Sequence, residues 1–553
     1  MNNQKPILTP WQRFISLLRL EKRDLSQVIY YAVFSGLISL TLPLGIQAII
    51  NLIQGAQVST SWIVLVCLVT VGVAFVGVLQ LMQMRIIETI QQRLFMRASF
   101  EFTYRFPKIR MDELHNYYPP ELANRFFDVL TVQKGLAKLL IDVPTAVLQI
   151  VFALILLSFY HPFFIAFGVL LIVLIYIVFK YTIQHGMFTS LKESKKKYIV
   201  AHWIQEVARA IMSFKISGKT SLAIDKNDKL VEDYLIAREG HFKILIIQFI
   251  QMIGFKVLVT AGLLVIGGLL VLSQEMNIGQ FVAAEIIILL VIGSVEKLIL
   301  GLESFYDVLT SLEKMGQVVD KKIEPQEGEE VVVDKDFNIE LDKVTYVVPD
   351  RSLPILNGVS LKLNSKSRVL VTGESGSGKS TLIRILSGIF KPSNGRIFLN
   401  QTSISNLKIN SYRAHLGLVL SDETPFEGSI KENLTLGDKS ITQQKIEEIL
   451  SVVGLYDFLK ETELGLNTVI YPEGRQIPFT VTKKIMLARA ILKQPNMLVL
   501  EEPLEHFERA ETNRIIKYLT DEKHPWSLVV VSFNKAWESS CTQVVNLKKG
   551  QII

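Results

Sequence analysis

The run from Leu25 to Met84 contains no Asp, Glu, Lys or Arg. So long an uncharged apolar stretch fits lipid better than water, and it suffices for two spans of about 20 residues joined by a short turn, for which QGAQVST is suited. A second such stretch, Val143 to Phe179, is broken only by SFYHPF. The third pair of spans, apolar with few charges, runs from about Ile244 to Leu272, passes through QEMNIG and resumes from about Gln280 to Leu300. Six spans are predicted, over 27–53, 61–84, 139–160, 162–183, 246–273 and 279–300, in an all-α transmembrane domain covering 25–320.

Loop charge orients them. QGAQVST, YHPF and SQEMNIG carry no Lys or Arg, whereas 85–140 and 181–243 are long and rich in both. By the positive-inside rule these long segments and both termini are cytoplasmic, in a multi-pass protein of the plasma or inner membrane. Their helical periodicity predicts that the spans continue as stalks beyond the bilayer. Pro43 is expected to kink the first span.

Lys256, Glu285 and Glu296 sit within the last two spans, where an unpaired charge costs about 2.5–3.5 kcal/mol. Counted from the outer turn at 1.5 Å per residue, Lys256 and Glu296 both lie roughly 25 Å deep. Two readings stand: they pair, or each snorkels to the inner interface. Glu285 lies about 10 Å in, with no partner at matching depth, which makes it a candidate for a water-filled substrate path.

Elsewhere the sequence is less specific. Among 553 residues, 49% are hydrophobic and 20% charged, and the net charge of +7 fits the face of an anionic membrane better than nucleic acid. Cys67 and Cys541 form no disulfide framework. Residues 1–24 lack the pattern of a cleaved secretory signal. Within them Trp11, Phe14, Ile15 and Leu18 recur at helical spacing among basic residues, predicting a short interfacial helix.

After a polar linker, 321–336, the composition changes. From Phe337 to Ile553 short apolar runs alternate with turn signals and helical segments, as in an α/β domain. RVLVTGESGSGKSTLIRILSGI is a strand, a glycine-rich loop and an amphipathic helix with Walker A spacing. Gly373, Glu374, Ser375, Gly376, Ser377 and Gly378 form a loop whose amides can approach phosphates. Lys379 carries charge to the β and γ phosphates, Ser380 can ligate Mg²⁺, and Thr381 continues the helix. The fold class expected is therefore multi-domain: a six-helix all-α transmembrane domain, then an α/β P-loop NTPase domain that binds ATP.

LPILNGVSLKLNSKSRVLVTGESGSGKSTLIRILSGIFKPSNGRIFLN resembles the first third of an ABC ATPase. ETPFEGSIKENLTLGD is similar to the stretch after its Q-loop, KKIMLARAIL to the helix after its signature, and PNMLVLEEP stands at Walker B. With six spans upstream, the chain resembles a type I exporter half-transporter of the bacterial type I secretion and bacteriocin-exporter branch, without that branch's N-terminal peptidase domain. The resemblance implies a second half-transporter as partner, in a homodimer or heterodimer, a membrane-fusion protein as a further partner, and a peptide or protein substrate. It also implies that Tyr117 to Phe127, opened by a proline pair, forms a contact helix.

The same resemblance exposes departures. The signature position reads Ile477-Pro478-Phe479-Thr480-Val481, without serine or glycine. At Walker B stand Glu501, on the Mg²⁺ side, and Glu502, the remaining general-base candidate. The D-loop reads Glu505-His506-Phe507-Glu508, with His506 a surface residue rather than a base. Ser421 stands at the Q-loop glutamine and Phe533 at the switch histidine. Val348 aligns with the aromatic that stacks on adenine, leaving Tyr346 as its substitute. Two functions remain open: an exporter with weak hydrolysis, or a non-hydrolysing partner subunit that uses ATP to stabilise an assembly.

Overall fold

The computed structural model of the chain describes residues 8–55, 60–333, 336–348, 351 and 353–553. The middle of the QGAQVST turn and the start of the expected interfacial segment lie outside the described residues. Two compact units result: Met1–Pro107 with Tyr117–Lys321, and Lys108–Asn116 with Lys322–Ile553.

The first unit is helical, and among the described residues it has six helical segments long and apolar enough to cross a membrane. Thr9 and Gln12 close a capping box, and Pro10 opens helix α1, Pro10–Leu20. The first span is two helices, α2 (Lys22–Ser39) and α3 (Thr41–Gln54), which meet at Leu40. Pro43 has no N–H to return to the carbonyl of residue 39, so the expected kink is a break three residues upstream of it. The second span lies in α4, Thr60–Arg105. Its 46 residues measure about 69 Å at 1.5 Å each, far more than a hydrocarbon core of about 30 Å. The predicted stalks are thus continuous helix.

Tyr117–Phe127 is not one helix. It is α5, Pro119–Ala123, followed by a 3₁₀ turn at Asn124–Phe127. Then come α6 (Asp128–Ser158), α7 (Phe163–Arg209), the short α8 (Ile211–Ile216) and α9 (Leu222–Gly262). The fifth span continues from α9 through a π turn, Leu263–Gly267, into α10, Gly268–Leu272. The last, α11 (Ile278–Val319), starts at an Asn277–Gln280 capping box.

Burial ranks the spans. Half of α11's most apolar window is buried inside the unit against 6% of α4's, so α11 is the bundle's centre. It meets α6 where Gly135 has no side chain. A Cβ there would overlap Val308 and stand 3.2 Å from the Ser304 carbonyl oxygen. At Gly186 the Tyr306 ring fills the space a Cβ would take, and the Tyr306 hydroxyl accepts a hydrogen bond from Gln248 Nε2 at 2.9 Å.

The intramembrane charges resolve as a pair: Lys256 Nζ donates to Glu296 Oε2 at 2.6 Å. Equal depth on adjacent helices decides between the two readings. Glu285 is half-buried and has no hydrogen-bond or ion-pair partner among the described residues. Helix α1 does not simply rest on a membrane. Arg13 is buried and pairs with Asp320 and Glu313, while Phe14 packs edge-on against Phe305 at 5.8 Å. Trp11, which also meets Phe305 edge-on at 6.0 Å, and Leu20 stay exposed.

The second unit contains the α/β fold. Its Lys108–Asn116 piece is held by an antiparallel bridge of Ile109 with Ile323 and by Arg110 N–H donating to the Lys322 carbonyl at 3.0 Å. Strands β1 (Ile339–Tyr346) and β2 (Leu356–Leu363) belong to an antiparallel sheet. Strand β3, Arg368–Thr372, lies inside a parallel sheet between Gln543–Lys548 and Ser527–Val531, followed outward by Met497–Glu501 and Leu416–Val419. All of these strands except Gln543–Lys548, which alternates exposed and buried residues, read as near-continuous apolar runs because both faces are covered. The loop after β3 therefore opens at the carboxyl edge of a rigid sheet.

Candidate functional site

The glycine-rich loop takes backbone angles that side chains disfavour: φ is +148° at Gly373, +79° at Gly376 and +105° at Gly378. A Cβ at Gly373 would overlap the Leu547 carbonyl oxygen, whereas one at Gly376 would meet nothing within 4 Å. Packing as well as φ demands the first glycine, whereas φ alone demands the second. Helix α12, Lys379–Leu386, starts directly from Gly378. Its first-turn amides lack intrahelical acceptors and carry the positive end of the helix dipole.

Lys379 Nζ donates to the carbonyls of Gly373 and Glu374, both at 2.8 Å. Burial pushes its pKa below the usual lysine value, opposed by the charges of Glu502 and Glu501. The Phe533 ring centroid lies 4.7 Å from the same Nζ.

A cleft of about 1210 Å³ opens here. Ser375, Gly376, Gly378, Lys379, Ser380 and Thr381 line one wall, and Ser421, Glu501, Glu502, Glu505 and Phe533 face them. Gly373, Glu374 and Ser377 are not in the lining. The first two contribute carbonyls to Lys379, and Ser377 is buried, with no hydrogen-bond partner for its hydroxyl.

The two Walker B carboxylates have separate surroundings. Glu501 is buried at the end of its strand and accepts from the Ser421 N–H at 3.2 Å. Glu502 has φ +43°, a strained setting for a residue with a side chain. Its Oε2 accepts from the Ser532 hydroxyl and its Oε1 from the Phe533 N–H, both at 2.9 Å. Burial raises its pKa, and these two hydrogen bonds oppose the rise.

The donor set fits a nucleotide with Mg²⁺. Open space at Gly376, helix amides without intrahelical acceptors and a lysine suit phosphates, while the Ser380 hydroxyl and Glu501 carboxylate are oxygen donors suited to Mg²⁺. Among the described residues no cluster of three or more His, Cys, Asp or Glu forms a metal cage, consistent with a cation completed by other ligands.

Tyr346 departs from expectation. Its ring stacks on Phe390 at 5.2 Å and 2°, and it is absent from the cleft lining. Arg351, Ile355 and Asn357 line the cleft instead. His506 is exposed and touches Phe479 edge-on at 5.6 Å, away from the lining. Phe479 opens the helix Phe479–Leu492 and is itself exposed. Sequence reading missed Lys483, a buried lysine of that helix whose Nζ donates to the Ser421 carbonyl at 3.0 Å. It also missed Ser532. Lys483 stood in the quoted KKIMLARAIL, but nothing local announced its burial.

A family model described as ABC transporter transmembrane region matches residues 27–295, and one described as ABC transporter matches 356–505. The chain belongs to the ABC transporter family. Similarity to curated relatives includes the alpha-hemolysin translocation ATP-binding protein HlyB of Escherichia coli O157:H7, 25% identical over 358 residues, which are 63% of this chain and 50% of that protein. The leukotoxin translocation ATP-binding protein LktB of Mannheimia haemolytica is 23% identical over 354 residues, 64% of this chain and 50% of the relative. The matched region thus spans about half the length of these relatives. A solved bacterial Atm1-family ABC exporter with ATP bound superposes with a TM-score of 0.85 at 17% identity, over 97% of this chain and 95% of that one. At that identity the likeness shows the fold, and this ABC transporter chain has an exporter fold. It is a multi-pass membrane protein.

Proposed function

We propose that this ABC transporter chain is one half of a dimeric exporter that binds ATP with Mg²⁺ in the cleft and hydrolyses it slowly. Lys379 and the loop amides bind phosphate, Ser380 and Glu501 hold Mg²⁺, whose charge neutralises phosphate oxygens, and Glu502 is the general-base candidate. The observation that supports slow turnover is the double engagement of Glu502: both its oxygens already accept hydrogen bonds. Those bonds stabilise the ionised form and so weaken its pull on the proton of a water, even though each oxygen keeps a second lone pair toward the cleft, and general-base catalysis contributes about 10²–10⁴-fold.

The positively charged long loops favour a cytoplasmic cleft in a plasma or inner membrane. The named relatives translocate alpha-hemolysin and leukotoxin, which supports a peptide or protein cargo here and a membrane-fusion protein beside the second half-transporter. The engagement of Glu502 equally favours a second reading, a non-hydrolysing subunit that stabilises a transport assembly.

Purified protein in lipid, assayed for Mg²⁺-ATP hydrolysis beside Lys379→Ala and Glu502→Gln, separates the two. Slow turnover abolished by either substitution supports the exporter. ATP binding with no turnover supports the non-hydrolysing subunit.

A further inference from the structure

Between α1 and α2 lies a groove of about 460 Å³. Leu18, Leu25, Ile29 and Tyr30 give it an apolar wall, and Arg19 and Lys22 stand at its rim. Ile29 and Tyr30 are 49% and 62% exposed, so the apolar wall is not covered by the chain's own packing.

The nearest acids in sequence are already committed. Glu21 is buried and pairs with Arg93 and Arg97, and Asp24 pairs with Arg93. Arg19 and Lys22 are exposed and, among the described residues, have no ion pair or hydrogen bond. The two cations therefore face outward over an apolar trough. The groove flanks the first turns of α2, which opens the first membrane span, so its cationic rim falls where the span enters the bilayer. Apolar chain below and phosphate-binding charge above is the combination that retains a lipid, since each basic group near an anionic surface adds to the binding of the buried chain.

We propose that this groove is a binding site for one anionic phospholipid, with an acyl chain against Leu18, Leu25, Ile29 and Tyr30 and the headgroup phosphate between Arg19 and Lys22. The site rests on α2 being a span.

The full chain in neutral detergent, titrated with phosphatidylglycerol or phosphatidylcholine and read by native mass spectrometry, tests it. One phosphatidylglycerol binds in preference to phosphatidylcholine. Arg19→Gln with Lys22→Gln weakens that binding by at least about tenfold, at about fivefold per charge, while Arg23→Gln, next in sequence but outside the groove lining, leaves it unchanged. Equal binding of the two lipids, an unaffected double variant, or an equal loss in Arg23→Gln overturns the proposal. Alkaline extraction of native membranes reads the span separately: a chain that stays in the membrane while failing the titration contradicts the groove alone.

Discussion

The Phe533 ring centroid stands 4.7 Å from Lys379 Nζ, and the N–H of Phe533 holds Glu502 Oε1 at 2.9 Å. One residue thus touches both the phosphate-binding cation and the general-base candidate. A ring over an ammonium is worth about 0.5–1 kcal/mol at an exposed site, enough to bias where Lys379 rests without locking it.

Replacing Phe533 by His supplies a titratable side chain at the same backbone position. The variant is predicted to hydrolyse ATP at least about tenfold faster than the natural chain, a fraction of the 10²–10⁴ that acid–base catalysis contributes. Phosphate release from protein in nanodiscs reads the change.

Neutralising one member of the Lys256–Glu296 pair leaves its partner without a counter-charge at membrane depth. Because both side chains are about one-third exposed, the loss falls between that of a surface pair, about 1 kcal/mol, and that of an unpaired mid-span charge, about 2.5–3.5 kcal/mol. Lys256→Met and Glu296→Gln each lower the unfolding temperature in detergent, and the double variant recovers most of the loss.

The Gly135 contact gives a steric prediction. Gly135→Ala places a methyl against the β-branched Val308 and lowers stability by about 1–3 kcal/mol. Adding Val308→Ala restores part of it, which a thermal-unfolding double-mutant cycle measures directly.

Glu502 carries a pH signature. Its folded-state pKa is raised above the usual 4.5, so its contribution to stability is complete below about 4.5 and lost as pH rises through the higher folded value. Glu502→Gln cannot titrate. Between pH 4 and 7 the natural chain therefore loses stability relative to the variant, as followed by intrinsic fluorescence melts.

Local signals carried the sequence reading furthest. The Walker A loop was legible because its strand, glycines, lysine and helix are contiguous, and the equal depth of Lys256 and Glu296 was legible because helical rise converts position into depth, which left pairing and snorkelling both open. What was not legible depended on distant chain. Tyr346 stacks on Phe390, far along the sequence, and Glu502, still the general-base candidate, accepts hydrogen bonds from Ser532 and Phe533 at the next strand's end. The arginine that turns α1 onto the bundle meets its acids only after the whole transmembrane unit has folded. The run of apolar residues announced the first span and Pro43 its kink, but not that the helix divides three residues upstream, at Leu40.

The central claim is that the cleft holds ATP but turns it over slowly, and the chemical identity of bound nucleotide tests it most directly. Protein in nanodiscs is mixed with radiolabelled Mg²⁺-ATP, separated from free nucleotide at intervals, and the retained label resolved into ATP and ADP. Retained label that remains ATP for minutes, with none captured by Lys379→Ala, is the result predicted. Conversion to ADP at about 1 per second or faster, as in an ordinary enzyme, or undiminished capture by Lys379→Ala, contradicts it.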